Sequence, residues 1–384
     1  MIQSILVYTL LAFTLSLLGW NVYRRESRLK LMNPDSELSF WSWEIVTSIL
    51  LVTVMMGIRF NTGSDYAMYL DQYNHVKATG QFARADFEIG FYYITKLFAG
   101  LGIHYTLYFA FWALVQIFAL YFGLRHHKHL LPWVGMVIIL GPYAFNWLTF
   151  MRQWTIAMIL VAIIPLIEQR KFIPYLLITA LAITIHRSAW LLLLFYFLPY
   201  LKYKGDTNKW SLIIFGACVV LGIYPIWFKL FRFVPDLLDL IGYHKYGHHL
   251  VDVCNGQFRN IGWGPLHLIS LASSLIFIYF YPQVKKHYSH DRLLPIFFIL
   301  AFVGTCYENL MMNTYHSMLR PAEYIYVFII IMIAYTVAFL ADRKSYFKAS
   351  ICFAIPCLYV IVDIIKEGTK YVDSSLFYHL FFDV

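Results

Sequence analysis

The first apolar run of the chain decides the class of the protein. Residues Ile2–Tyr23 read IQSILVYTLLAFTLSLLGWNVY, and the basic run RRESRLK follows from Arg24 to Lys30. About twenty apolar residues in an α-helix rise far enough to cross a hydrocarbon core of about 30 Å. A basic run directly after a span favours the cytoplasmic side, so the N-terminus is predicted to lie outside. No basic residue precedes the run and no small-residue pattern follows it, so a cleaved signal peptide is not indicated.

The composition extends this class to the whole chain. Of the 384 residues, 60% are hydrophobic, 19% aromatic and only 13% charged, whereas soluble domains carry about 25% charged residues. The apolar stretches are continuous rather than alternating, which excludes a transmembrane β-barrel. The prediction is an all-α polytopic integral membrane protein, with residues 1–384 in one domain. We interpret the net charge of +9 as a topology signal and an attraction to lipid headgroups, not as a nucleic-acid surface.

Apolar segments separated by polar or basic loops predict about twelve transmembrane helices. With that count every short basic loop falls on one side, and both termini lie outside. Two longer polar regions are predicted outside: residues 59–104, with one short amphipathic helix, and residues 227–262, a large structured periplasmic loop with short helices. The predicted spans are Ile2–Tyr23, Phe40–Ile58, Tyr105–Leu124, Trp133–Trp147, Trp154–Ile167, Phe172–Ile185, Ala189–Leu201, Trp210–Ile226, Pro265–Tyr281, Leu293–Cys306, Tyr324–Leu340 and Phe347–Ile365.

Four arginines oppose the usual charge asymmetry, because they lie at the outer ends of predicted spans: Arg59, Arg152, Arg187 and Arg320. Arg152 and Arg187 are predicted in tight turns within membrane depth. A charge there costs at least ~2.5–3.5 kcal/mol, so such a residue is expected to face a cavity and an anionic partner. Guanidinium groups match phosphate oxygens, which favours a site for the diphosphate of a lipid. The alternative is a set of arginine–carboxylate pairs that hold helix ends together.

Transfer from a lipid diphosphate also needs a base for the incoming hydroxyl. The sequence offers Asp65, Glu88, His186 and Glu323. The unperturbed pKa of histidine is near 6.5, and the adjacent Arg187 is expected to lower that of His186. Glu88 opens a predicted helix, where capping of the helix N-terminus is a complete explanation for a carboxylate. The choice among these residues stays open at this point.

Several short motifs occur in a characteristic order along the chain. They are RFNTGSDY at Arg59–Tyr66 with Tyr69, EIGF at Glu88–Phe91, Arg152 with Gln153, IHRSA at Ile185–Ala189, and Arg320 with Tyr324. Together they resemble the EpsG family of Wzy-like polysaccharide polymerases, over roughly Trp43 to Leu340. Ser64 stands where that family more often has Thr, and Arg187 where it more often has Lys. Neither difference removes a charge.

The resemblance implies a polymerase of the bacterial inner membrane with a GT-C-like fold. Such an enzyme transfers a growing glycan, of O-antigen or capsule type, from undecaprenyl diphosphate to a hydroxyl of the next lipid-linked repeat unit. It implies undecaprenyl-diphosphate-linked donor and acceptor, membrane lipids and a chain-length regulator protein as partners, with no metal or other cofactor. The expected site comprises Arg59, Arg152, Arg187 and Arg320 for the diphosphate, His186 and Asp65 for catalysis, and Glu88, Tyr66, Tyr324 and Glu323 for substrate orientation.

Two other classes of function stay as alternatives. A transporter or flippase of lipid-linked saccharide predicts polar residues through the full depth of the bundle and two related halves. Here the ionisable residues gather at the outer face, and no internal repeat is visible. An O-antigen ligase-type enzyme or an acyltransferase would use the same arginines and histidine. The identity of the extended acceptor would separate a ligase from a polymerase.

Overall fold

The computed structural model describes residues 1–84, 87–200, 208–240, 244–256, 263–371 and 373–382. Within these ranges the chain is almost entirely helical, which confirms the all-α prediction, and the strands β1 (Arg59–Phe60) and β2 (His379–Leu380) form one antiparallel pair. The helices are α1 Ile2–Met32, α2 Trp43–Gly57, α3 Tyr66–Thr79, α4 Ile89–Gly100, α5 Tyr105–Gly123, α6 Leu131–Leu140, α7 Ala144–Thr149, α8 Met151–Glu168, α9 Phe172–Ile185, α10 Leu192–Phe197, α11 Asn208–Ile223, α12 Val234–Leu240, α13 His244–Cys254, α14 Pro265–His287, α15 Leu294–Leu310, α16 His316–Leu319, α17 Tyr326–Asp342 and α18 Tyr346–Gly368.

The long apolar helices confirm a membrane protein. Among the described residues, 5 helices are long and apolar enough to span a bilayer: α1, α5, α8, α14 and α18. The segment Ser317–Tyr324 and α17 form a further candidate span that is bent by 53°. Several other apolar helices, such as α2 and α9, are shorter. The larger predicted number of spans and the GT-C-like architecture stay predictions.

Several predicted boundaries differ from the structure: the span Ala189–Leu201, for example, is divided, and α10 covers only Leu192–Phe197. Two of the differences have identifiable reasons. The basic run after the first span continues α1, where Glu26 pairs with Lys30 at 2.8 Å and with Lys128 at 2.6 Å. The predicted span Trp133–Trp147 is divided into α6 and α7. Pro142 disfavours helical backbone at the residue before it, and Gly141 is accordingly extended, with a ψ of 179°.

Helix α17 forms the centre of the bundle. Every residue from Tyr326 to Leu340 is buried, as expected for a helix that is apolar on all sides. It packs against α15, α18, α14 and α6. On the other side of α6, α1 approaches closely enough that a Cβ at Gly19 would lie 2.5 Å from the Leu131 backbone. Small residues commonly permit such contacts between membrane helices.

Ion pairs and strand pairing distinguish two ends of the bundle. At the first, which we call the basic end, helix ends and loops are joined by the pairs Arg25–Glu44 at 2.7 Å, His127–Asp291 at 3.0 Å, His287–Asp342 at 3.3 Å and Arg292–Glu168 at 3.6 Å. At the opposite end, β1 pairs with β2, so the segment after α2 meets residues 373–382, which we call the C-terminal strap. The candidate site lies at this strap end.

The polar region of residues 59–104 contains more helix than the sequence indicates. Residues 59–104 hold two helices, α3 and α4, where one short amphipathic helix was expected. Their aromatic side chains form a small core with α5 that includes Tyr66, Tyr73, Phe91 and Trp112. Region 227–262 holds α12 and α13, and its residues 241–243 and 257–262 lie outside the described part of the chain.

Candidate functional site

The segment after α2 packs against the corner between α7 and α8. The Nη2 of Arg59 donates to the Leu148 carbonyl at 3.0 Å, and the Ser64 N–H donates to the Thr149 hydroxyl at 3.3 Å. Gly63 adopts a φ of +94°, and a Cβ there would lie 2.7 Å from the Leu148 oxygen. Both its left-handed backbone and its surroundings therefore require glycine. The segment supports the corner that carries Arg152.

Arg152 lies in the first turn of α8, not in the tight turn predicted from the sequence. Its guanidinium contacts the rings of Phe87 and Phe91, with its carbon 4.7 Å and 5.2 Å from their centroids. Its Nε lies 3.5 Å from the Tyr69 hydroxyl, and its Nη1 donates to Glu88. Helix α8 thus directs this arginine towards the α3–α4 region.

Glu88 connects three segments that are distant in the sequence. One carboxylate oxygen accepts from Arg152, and the other accepts from the Arg187 N–H at 2.7 Å and lies 3.1 Å from Nδ1 of His186. An ionised carboxylate only accepts hydrogen bonds, so Nδ1 carries the proton and Nε2 of a neutral ring keeps a lone pair. Glu88 makes no capping hydrogen bond to α4. Its side chain is used for this bridge instead.

The hydrogen bond between Glu88 and His186 also influences the protonation of these two side chains, which lie at helix ends. Burial alone would raise the pKa of Glu88, but the hydrogen bond to His186 and the charge of Arg152 hold that pKa at about 2. Burial lowers the pKa of His186, and the bond to Glu88 offsets only part of that effect. Near neutral pH Glu88 is therefore ionised and His186 is neutral.

His186 and Arg152 border one small cavity at the strap end. Its volume is about 20 Å³, and a single water molecule requires roughly 10–15 Å³. The guanidinium of Arg320 lies over the Phe150 ring at 5.4 Å, and its Nε has no hydrogen-bond partner within the described residues. The cavity is lined by Asp65, Tyr69, Phe150, Arg152, Gln153, His186 and Arg320. We call it the cationic cavity.

A protein-family model described as the EpsG family matches residues 43–378. The chain belongs to the EpsG family. Membership and the apolar helices together indicate a membrane protein of polysaccharide biosynthesis, in the role of a Wzy-like polymerase or a related glycan-processing protein. Comparisons with curated proteins and with solved structures found no match.

In this EpsG-family protein, four of the residues singled out in the sequence line the cationic cavity: Asp65, Arg152, His186 and Arg320. Glu88 does not line the cavity, but its carboxylate is hydrogen-bonded to Arg152 and to His186. Arg59 lines a different cavity of about 10 Å³, and its guanidinium lies 5.9 Å from the Tyr66 ring. Tyr66 itself stacks on Phe109 at 4.6 Å.

The other expected residues lie around the same corner. Arg187 is exposed, and its backbone N–H donates to Glu88 at 2.7 Å. The hydroxyls of Tyr324 and Ser188 are 2.7 Å apart. Glu323 is fully buried and faces a second cavity, which also contains Glu308.

Three residues of the cationic cavity in the EpsG-family protein were not selected from the sequence. Tyr69 follows Tyr66 by three residues on α3, and that spacing places neighbouring side chains on one helix face. Gln153 follows Arg152 directly, so both could have been found from the motifs. Phe150 occupies the turn between α7 and α8, and no pattern in the sequence distinguishes it from other phenylalanines.

Proposed function

We propose that this protein is a repeat-unit polymerase of the bacterial inner membrane. The bond between the donor sugar and undecaprenyl diphosphate breaks, and a glycosidic bond forms to a hydroxyl of the next lipid-linked repeat unit. The hydroxyl proton passes to a base, and undecaprenyl diphosphate leaves. One observation carries the proposal: His186, whose ring is hydrogen-bonded to Glu88, lines one cavity together with Arg152 and Arg320.

In this proposal His186 is the general base. Its Nε2 lone pair accepts the proton of the acceptor hydroxyl, while Glu88 keeps the ring in the required tautomer and stabilises the imidazolium that forms. The lowered pKa of His186 ensures that the ring is neutral before each transfer. Asp65, which lines the same cavity, is the candidate for orienting the acceptor.

Arg152 and Arg320 are the proposed ligands of the donor diphosphate. Fixed guanidinium groups stabilise the negative charge that develops on the leaving group. The cavity is too small for a diphosphate in the present conformation, so binding requires the two side chains to separate. The unused Nε of Arg320 is one donor that would then reach a phosphate oxygen. In this proposal the exposed Arg187 binds the diphosphate at the outer rim of the site, and Arg59 stabilises the α7–α8 corner through the Leu148 carbonyl.

The test compares arginine variants for glycan chain length in cells that lack the native protein. We expect Arg152→Ala and Arg320→Ala to remain in the membrane and to lower chain extension by about 10²-fold or more. Arg292→Ala is the matched control, because its side chain is 84% exposed at the basic end. Long glycan in either cavity variant would contradict the proposal. Extension of a lipid A core, instead of a lipid-linked repeat unit, would indicate a ligase.

A further inference from the structure

The region that follows α11 carries a row of exposed apolar side chains. It begins with a short 3₁₀ helix, Pro225–Phe231, and continues as α12. Phe233, Leu237 and Leu240 are four and three positions apart, a spacing that places side chains on one helix face. Together with Leu230 they range from 56% to 84% exposed. We call these four residues the outer apolar face.

The opposite side of this region packs on the protein, so the outer apolar face has a fixed direction. Phe228 forms a buried cluster with Leu250, Val253 and Cys254 of α13 and with Met311, which follows α15. The Phe228 carbonyl accepts from the Cys254 thiol at 3.2 Å, and α12 itself packs against α13. A region that is apolar on both sides is expected to have a second apolar environment beyond the protein core.

The outer apolar face continues an apolar surface of α11. The 16 residues of this helix rise about 24 Å, which is most of a hydrocarbon core of about 30 Å. Its end lies beside the end of α15, because the Asn313 amide donates to the Ile223 carbonyl at 2.8 Å. The chain from Tyr224 onward therefore starts close to a bilayer surface. The exposed apolar residues of α11 recur at helical spacing along one side: Trp210, Ile213, Ile214, Val220 and Leu221.

Two basic residues flank the outer apolar face. Lys229 precedes Leu230, Arg232 precedes Phe233, and both basic side chains are exposed. At a membrane surface, long basic side chains cover apolar area with their stems and reach headgroup phosphates with their charged ends. Bulky apolar residues beside basic ones are typical of segments that lie in the plane of a membrane interface. The charge pattern thus favours lipid over a protein partner.

We infer that the outer apolar face inserts into the bilayer leaflet at the strap end, and that Lys229 and Arg232 bind the phosphates of its headgroups. Residues 224–240 then lie along the interface, with the acyl chains on one side and α13 on the other. Leu319, which precedes Arg320, packs against the buried cluster around Phe228. This contact connects the bilayer surface with the segment that carries Arg320, whatever reaction the protein catalyses.

Site-directed spin labelling of the full chain in nanodiscs tests the inference. In a variant without the native cysteines, a nitroxide is attached at Leu237→Cys, Leu240→Cys or Asp236→Cys. Molecular oxygen concentrates among acyl chains, whereas a nickel chelate stays in water. Neighbouring positions on a helix are rotated by about 100°, so the labels at 237 and 240 should show an oxygen-to-nickel collision ratio at least about threefold above that at 236.

Two outcomes of this measurement would overturn the inference. The same ratio at all three positions would place the outer apolar face in water. Few collisions with either reagent at 237 and 240 would place it under protein, from a second copy or another chain. The melting temperature of each labelled variant is compared with that of the unlabelled parent, so that a folding defect is recognised.

The two basic residues are tested with the label at Leu237→Cys. In nanodiscs that contain phosphatidylglycerol, Lys229→Gln with Arg232→Gln should lower the ratio of inserted to water-exposed label about fivefold for each charge removed. In nanodiscs of phosphatidylcholine alone the loss should be smaller. Lys286→Gln with Lys348→Gln is the matched control, because both residues are exposed, one in the last turn of α14 and one in the first turn of α18. An unchanged ratio in the anionic nanodiscs would overturn the assignment of Lys229 and Arg232 to headgroups.

Discussion

Glu88 is the residue on which the candidate site depends most. Its carboxylate is the shared partner of Arg152 and of His186, and it also accepts the Arg187 N–H. The Arg152–Glu88 pair is half-buried, and loss of either partner is destabilising because the remaining charge is left uncompensated. A carboxylate in this position therefore aligns the base, neutralises an arginine while no diphosphate is bound, and stabilises the corner.

The pH dependence of chain extension tests the roles of His186 and Glu88. Only the neutral ring can accept a proton, and the pKa of His186 is lowered. The wild-type rate should therefore fall on acidification with a midpoint below about pH 6.5. Glu88→Gln removes a charge that raises the pKa of His186, so the midpoint should move to lower pH, and the maximal rate should fall about tenfold or more.

The rate is measured on purified protein with lipid-linked repeat units extracted from the host cells. Glu37→Gln serves as the control, since Glu37 pairs with His126 at the basic end. If Glu88 were only structural, the Glu88→Gln rate would decrease with an unchanged midpoint. That outcome would remove His186 from the role of base.

The residue types of the site could be read from the sequence, but their pairing could not. Arg152, His186 and Arg320 are conspicuous because a charge among apolar residues is costly. The bond from Glu88 to His186 spans 98 positions, and no local periodicity encodes such a contact. From the sequence, capping of α4 was an adequate explanation for Glu88. In the structure its side chain makes tertiary contacts instead of a capping hydrogen bond. Arg59 is also a charged residue among apolar ones, but its guanidinium donates to the Leu148 carbonyl and lines a different cavity.

At the scale of elements, the C-terminal strap has the largest influence on the site. The Ser375 carbonyl accepts from the Gly63 N–H at 2.7 Å, and the Phe377 carbonyl accepts from the Thr62 hydroxyl at 2.9 Å. The Tyr378 hydroxyl donates to the Met55 carbonyl at 2.6 Å. The strap thereby fixes the Arg59–Asp65 segment, which in turn supports the corner that carries Arg152.

Truncation before residue 373 should therefore lower both stability and activity. Each lost hydrogen bond contributes a net ~0.5–1.5 kcal/mol, so the melting temperature of the detergent-solubilised protein should fall clearly below that of the wild type. Chain extension should decrease because Arg152 loses its support. Tyr378→Phe removes one hydrogen bond and should produce a smaller loss of the same kind. Truncation after Phe382 keeps all of these contacts and is the control; equal melting of both truncations would refute this role.

The elements divide into those that the sequence predicts well and those that it does not. Helix α9 has the predicted bounds, Phe172–Ile185, because basic residues and a polar turn delimit a uniform apolar run. The strap was not recognised, because its strand is two residues long and forms only by pairing with β1. The extent of α1 was underestimated because Glu26, within a run that looked like a loop, pairs with Lys30 and with the distant Lys128.

At the scale of the whole molecule, the charged residues at the two ends of the bundle have different surroundings. At the basic end, Arg25, His127 and Arg292 are paired with the carboxylates of Glu44, Asp291 and Glu168, respectively. At the strap end, two arginines share a cavity with one histidine and one aspartate. The positive-inside tendency predicts that the basic end lies in the cytoplasm. The proposed site is then predicted to open on the other side, where the proposed polymerase would join lipid-linked repeat units.

Cysteine labelling in spheroplasts tests this orientation directly. In a variant without native cysteines, Asp373→Cys reports on the strap end and Arg292→Cys on the basic end, and their native side chains are 71% and 84% exposed. A charged maleimide cannot cross the bilayer, so it should label Asp373→Cys in intact spheroplasts and Arg292→Cys only after permeabilisation. Retained chain extension in each variant shows that the fold is preserved. The reverse labelling pattern would place the cationic cavity on the cytoplasmic side, where a periplasmic polymerase could not use it.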